Sequence, residues 1–104
     1  MVSVFEHVKN PYVVSNALFD IISPGGYLFN SAPFLFPYHP SPEDNFRFSP
    51  NALKTIHESS GFEVLQSDFH VNYKTTDGVG DTNPNNYRAP QAIMASFALC
   101  RKPL

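Results

Sequence analysis

Within its first 31 residues the sequence sets a helix signal between two β-type runs, and this limits the fold more than any other feature. Asn10-Pro11 puts a favoured N-cap residue before proline at the first helical position, where proline's missing N–H is harmless. Val14, Ala17, Leu18, Ile21 and Ile22 recur at three- and four-residue steps, predicting an amphipathic helix with that stripe buried. Ser23-Pro24-Gly25-Gly26 ends it and turns the chain. Before the helix, Val2, Val4 and Phe5 read as a strand. After it, Tyr27, Leu28 and Phe29 read as a second, running to about Ser31. Strand, helix, strand over this length is a βαβ unit, with parallel strands and a right-handed crossover. Apolar strands without a polar lead-in usually lie inside parallel sheets, so a further segment is expected ahead of Val2.

The middle of the chain changes character. Between Pro33 and Pro50 stand five prolines and five aromatics, Phe34, Phe36, Tyr38, Phe46 and Phe48, among few aliphatic residues. Proline at that density predicts a stiff surface loop over 33–48 rather than a helix or a central strand. Loops of this length often carry function, and the plain alternative is rings plugging the end of a sheet. Ser49-Pro50 repeats the helix-start signal, with Ala52, Leu53 and Ile56 as the buried stripe and Gly61 as the stop. Residues 62–71 read as a strand, 72–90 as a polar, turn-rich loop, and 92–100 as a buried strand.

One domain fits 104 residues, and a chain of this size buries roughly 60–70% of its unfolded surface without disulfides or a structural metal. Seven Lys/Arg against nine Asp/Glu argue against a nucleic-acid footprint or a polybasic membrane patch. No apolar run approaches the 18 or so residues that span a bilayer, and the N-terminus does not read as a signal peptide. The single Cys100 excludes an internal disulfide and fits a reducing, cytoplasmic setting; at the end of an apolar strand it reads as inert packing.

Few residues carry candidate chemistry. Glu6-His7 follows the first strand, where ligands of parallel sheets bind, so either side chain could act as a base or orient a ligand. The plain reading is two solvated residues entering a helix. In the proline-aromatic loop, His39 is an acid/base candidate and Arg47 an anion clamp, unless Arg47 pairs with Asp44 to brace the loop. His57 and His70 read as ordinary surface or half-buried histidines. Residues 81–92 imitate the opening of a calcium loop but lack its glycine and closing glutamate.

In order and spacing, Val4-Phe5-Glu6-His7-Val8, Pro11, Ile22-Ser23-Pro24-Gly25-Gly26, Pro33, His39, Pro42, Asp44, Phe46-Arg47-Phe48 and Gly61-Phe62 resemble class I S-adenosylmethionine (SAM)-dependent methyltransferases. The resemblance covers residues 2–70 and only the C-terminal half of that family. It implies an α/β half-domain over 1–104, a partial Rossmann-like methyltransferase sheet. The chain would begin at the family's fourth strand, and its last two strands would form an antiparallel hairpin. It also implies that Ser3, Val4, Phe5 and Glu6 lie beside the cofactor SAM. Phe34, Tyr38, Phe46 and Arg47 would line the acceptor substrate, with His39 or His7 as the catalytic proton acceptor. The family's glycine-rich SAM loop and ribose-binding acidic residue have no counterpart here. Some ubiquinone-pathway methyltransferases bind a divalent cation through Glu-x-x-Glu-His; Ser3 stands at the first glutamate position, so no metal is expected.

The resulting expectation is the acceptor-side half of a SAM-dependent methyltransferase acting on an oxygen or nitrogen of a small-molecule acceptor, inactive as this fragment. Its open sheet edge is expected to dimerise or to meet a complementing N-terminal half. The alternatives are a non-catalytic, methyltransferase-derived module that docks on a partner, and an unrelated small α/β binding domain.

Overall fold

The computed structural model describes residues 1–36, 38, 40, 43–71 and 94–104. Among them are a 3₁₀ turn at Phe5–His7, α1 (Pro11–Ile21), β1 (Tyr27–Leu35), α2 (Pro50–Ser60), β2 (Glu63–Val71) and β3 (Met94–Arg101). The sheet order is β1-β3-β2, with β3 antiparallel to both neighbours. The expected antiparallel pairing of the last two strands is therefore present. The 72–90 loop and the calcium-like motif fall outside the described residues.

Both helices form for the local reasons the sequence carries. The Asn10 side chain accepts from the Tyr12 and Val13 amides at 3.1 and 3.3 Å. Ser49 Oγ accepts from the Ala52 amide at 3.1 Å. α2 ends on Gly61 in the left-handed region, φ 109°, and a Cβ there would meet ring carbons of Phe19 at 3.0 and 3.1 Å. Gly61→Ala combines backbone strain with that clash and is expected to destabilise by roughly 1–3 kcal/mol. Urea denaturation checks this, and an unmoved midpoint would mean the α2 terminus is free to repack.

Three expectations are corrected. Residues 2–5 do not form a strand: only Val2 bridges, in parallel, to Ser31. Ser3 turns into the left-handed region, φ 54°, and Val4 is helical, so the chain leaves the sheet and swings Phe5 inward. The bridge keeps the parallel sense of the expected βαβ unit. Second, β1 runs on through Pro33 to Leu35 instead of giving way to the loop. Proline is tolerated because, among the described residues, β1 has a full ladder with β3 on one side only, and its register shifts between Pro33 and Leu35. Third, the α1 stripe is rotated. Val14, Leu18, Phe19 and Ile22 pack on the core, Ser15 is fully buried, and Ala17 and Ile21 face outward.

α2 lies on β2 and β3, α1 lies against α2, and the 3₁₀ turn touches β1. The core between them holds Phe5, Leu28, Ala32, Phe48, Leu53, Ile56, Phe62, Ala98 and Cys100. Burial pushes the Cys100 thiol up to about 11, assisted by Glu58, in keeping with an inert packing role. Among the described residues no helix is long and apolar enough to cross a membrane.

Candidate active site

The 3₁₀ turn and the second half of the proline-aromatic loop are joined by backbone. Phe5 anchors the turn, its ring 5.6 Å from Phe48 and 5.3 Å from the His57 ring. The loop is tied down at its far end: the Phe48 amide donates to Pro33 O at 3.0 Å, and Ser96 Oγ to Phe48 O at 2.7 Å. Between these anchors the Asn45 amide donates to Glu6 O at 2.7 Å and the Phe46 amide to the same oxygen at 3.3 Å.

Side chains complete the junction. The Asn45 amide nitrogen lies 3.4 Å from His7 O, 3.2 Å from Val8 O and 3.0 Å from Glu43 Oε2. His7 Nδ1 bonds to Glu43 O, which fixes the tautomer, since a carbonyl can only accept. Its other nitrogen, Nε2, lies 3.6 Å from Glu6 Oε2. Glu6 is fully buried, while the His7 side chain keeps 23% of its surface exposed. A carboxylate beside Nε2 of a partly exposed imidazole can hold a proton arriving on that nitrogen. Glu43 sits below the ordinary carboxylate range, chiefly through its bond from Asn45 and also through Lys9, 3.7 Å away at the surface.

Arg47 is engaged by Asp44 as a two-pronged pair, Nη1 to Oδ1 and Nη2 to Oδ2, the latter at 2.7 Å. That hydrogen bonding raises the guanidinium above its ordinary value; burial opposes the shift, and the charges of Asp44 and, more weakly, Glu6 support it. Arg47 also donates to Phe46 O at 2.9 Å and Phe36 O at 3.3 Å, so it braces the loop as the second of the two readings anticipates.

The structure thus brings Glu6, His7, Phe46 and Arg47 to one place. Phe5 belongs to the core beneath them, and Ser3 and Val4 are exposed. Phe46 packs on Phe48 at 5.6 Å. Phe34 instead meets Phe69 edge-on at 5.0 Å, and Tyr38 is exposed. His39 lies outside the described residues. Asn45 and Glu43 were not singled out from sequence, although an asparagine beside an Asp–Arg brace is a residue type that habitually bonds loop backbone. His57 is corrected more sharply. It is fully buried, with Nδ1 2.8 Å from Ser15 Oγ and Nε2 2.9 Å from Asn30 Nδ2. His70 is exposed, as expected. Among the described residues no group of three His, Cys, Asp or Glu is placed to hold a metal ion.

No protein-family model matches the sequence, and no curated protein does. The fold is similar to that of Haemonchus contortus Phospholethanolamine N-methyltransferase 2, solved with phosphomonomethylethanolamine and S-adenosylhomocysteine. The TM-score is 0.61 over 99% of this chain at 11% identity, and the chain spans 32% of that structure's length. At such identity the likeness is one of fold: these residues adopt a partial methyltransferase-like α/β fold.

Proposed function

We propose that this chain is the acceptor-side half of a SAM-dependent methyltransferase, moving a methyl group to an oxygen or nitrogen of a small-molecule acceptor. What carries the reading is the His7–Glu6 pair, held by the 43–48 loop just beyond the segment that pairs in parallel with β1. In open α/β sheets that is where ligands sit. The fold likeness to a methyltransferase bound to S-adenosylhomocysteine supports SAM as the cofactor.

The residues present fit one wall of such a cofactor. Ser3 and Val4 have exposed side chains that would line its methionine and sulfonium end. Phe5 and Glu6 are buried, so they would shape the wall through their backbone. When bound, SAM supplies an electrophilic methyl already attached to a good leaving group, leaving the protein to align the acceptor and take its proton. His7 Nε2 accepts that proton, and the Glu6 carboxylate, 3.6 Å from the same nitrogen, stabilises the imidazolium formed. Phe46 and the exposed Tyr38 present aromatic surface to the acceptor, with His39 as a second proton acceptor on the same loop. The chain acts in the cytoplasm, with its cofactor side completed by a further strand and glycine-rich loop.

A calorimetric titration of S-adenosylhomocysteine tests this. The expected result is no heat from the 104-residue chain and micromolar binding once in-frame upstream coding sequence supplies that strand and loop. Absence of binding in both forms would sink the methyltransferase reading. It would favour a non-catalytic docking module instead, a second reading that rests on the exposed Tyr27, Phe29 and Leu65, at 64, 47 and 46%.

A further inference from the structure

Histidine in water exchanges its proton between two ring nitrogens, so a histidine that must accept a proton at one nitrogen needs something to hold the other. At His7 that partner is a backbone carbonyl, Glu43 O, in a loop whose neighbouring backbone makes no regular secondary structure. A loop carbonyl holds an imidazole only if the loop is itself held. Asn45 is the residue that does so. Its backbone amide bonds Glu6 O, and its side-chain amide spans His7 O, Val8 O and the Glu43 carboxylate, the same residue whose carbonyl receives Nδ1–H. One asparagine therefore ties both ends of the His7–Glu43 bond to each other.

We propose that Asn45 is a positioning residue that locks His7 in its Nδ1–H tautomer and so keeps Nε2 as the proton-accepting nitrogen. The catalytic use of that lock rests on the proposed function; the lock itself does not. The two side-chain N–H groups of Asn45 are shared among three acceptors, so replacing them with a group that cannot donate releases His7 O, Val8 O and Glu43 together. Asn45→Asp keeps the size and removes the donors, while placing a carboxylate against two carbonyls and the Glu43 carboxylate. Every non-proline variant keeps the backbone bond to Glu6 O, which preserves the anchoring of the loop at that point.

The test is the ring ¹⁵N spectrum of the ¹⁵N-labelled full chain in long-range ¹H–¹⁵N correlation, at alkaline pH where ordinary imidazoles are neutral. His7→Gln identifies the His7 signals. In the unsubstituted protein His7 is expected in the Nδ1–H form, with Nε2 at the shift of an unprotonated nitrogen. In Asn45→Ala and Asn45→Asp the Nδ1–H population is expected to fall below half. The buried His57, held Nδ1–H between Ser15 and Asn30, should keep its own pattern in both variants and so reports that the fold is intact. A His7 found mainly as Nε2–H in the unsubstituted protein, or a His7 pattern unmoved in both variants, overturns the proposal. No cofactor or turnover enters the measurement. A protein that shows the lock but binds no S-adenosylhomocysteine would count against the methyltransferase reading alone.

Discussion

His57→Ala is expected to lower the free energy of unfolding at pH 7.5 by about 3–5 kcal/mol, as losses of large buried side chains do. The ring is wholly buried, 5.3 Å from the Phe5 ring and 5.7 Å from the Phe62 ring, edge-on to the latter. Its removal opens a cavity between α1, α2 and β1. It also strands the buried Asn30 amide, at a cost of about 1–3 kcal/mol for a polar group left without a partner, while Ser15 keeps its bond from Ser60 Oγ at 2.8 Å.

The same residue should make the protein acid-sensitive. Burial lowers the His57 pKa from 6.5 to about 4, because Nε2 already accepts from Asn30 and the charged ring would lie among Phe5 and Phe62. With the folded value depressed below the unfolded one, His57 leaves stability untouched above about pH 6.5. As pH falls below 6.5 the unfolded chain binds a proton that the folded chain refuses. Stability then drops by about 1.4 kcal/mol per pH unit until about pH 4, for a total of about 3 kcal/mol. Denaturant titrations at pH 7.5, 5.5 and 4.5 read this directly, and His57→Gln should flatten the slope. A slope unchanged in His57→Gln would assign the acid sensitivity to other groups.

The second large effect belongs to the proposed chemistry. In the protein completed by its cofactor side, His7→Gln is expected to reduce kcat for methyl transfer by about 10²–10⁴-fold, the range for loss of a general base. Binding of S-adenosylhomocysteine should hardly change, because the proposed cofactor wall is made by Ser3, Val4 and the backbone of Phe5 and Glu6 rather than by the His7 ring. A variant with undiminished kcat would leave His7 as a brace between the 3₁₀ turn and the loop, and would move the search for a proton acceptor to His39.

How much of this was legible in the sequence follows from the range of each interaction. Asn10, Ser49 and Gly61 act within three residues of themselves, and both helices start and stop where those residues say. The short apolar run of the last strand is also local, and β3 forms within it, buried at Ser96, Ala98 and Cys100. The proline-aromatic stretch is legible as a loop except at its edge, where Pro33 survives in β1 because that strand has one full neighbour among the described residues. The Asp44–Arg47 brace, three residues apart, was readable for the same reason.

What the sequence could not convey lies in contacts between distant segments. Ser15 takes a core position because His57, 42 residues on, needs an acceptor for Nδ1, and this rotates the α1 stripe and turns Ile21 outward. Val2 and Val4 look like a strand, yet the left-handed turn at Ser3 converts that run into a single bridge and a buried Phe5. Glu6 and His7 stand out in sequence, but their geometry belongs to residues 36 to 38 positions away, Glu43 and Asn45. Local propensity acts over about four residues along a helix. The elements of this chain were therefore written in its sequence, while the pairing of Glu6 with His7, the lock on its ring and the burial of His57 were decided only when the tertiary structure closed.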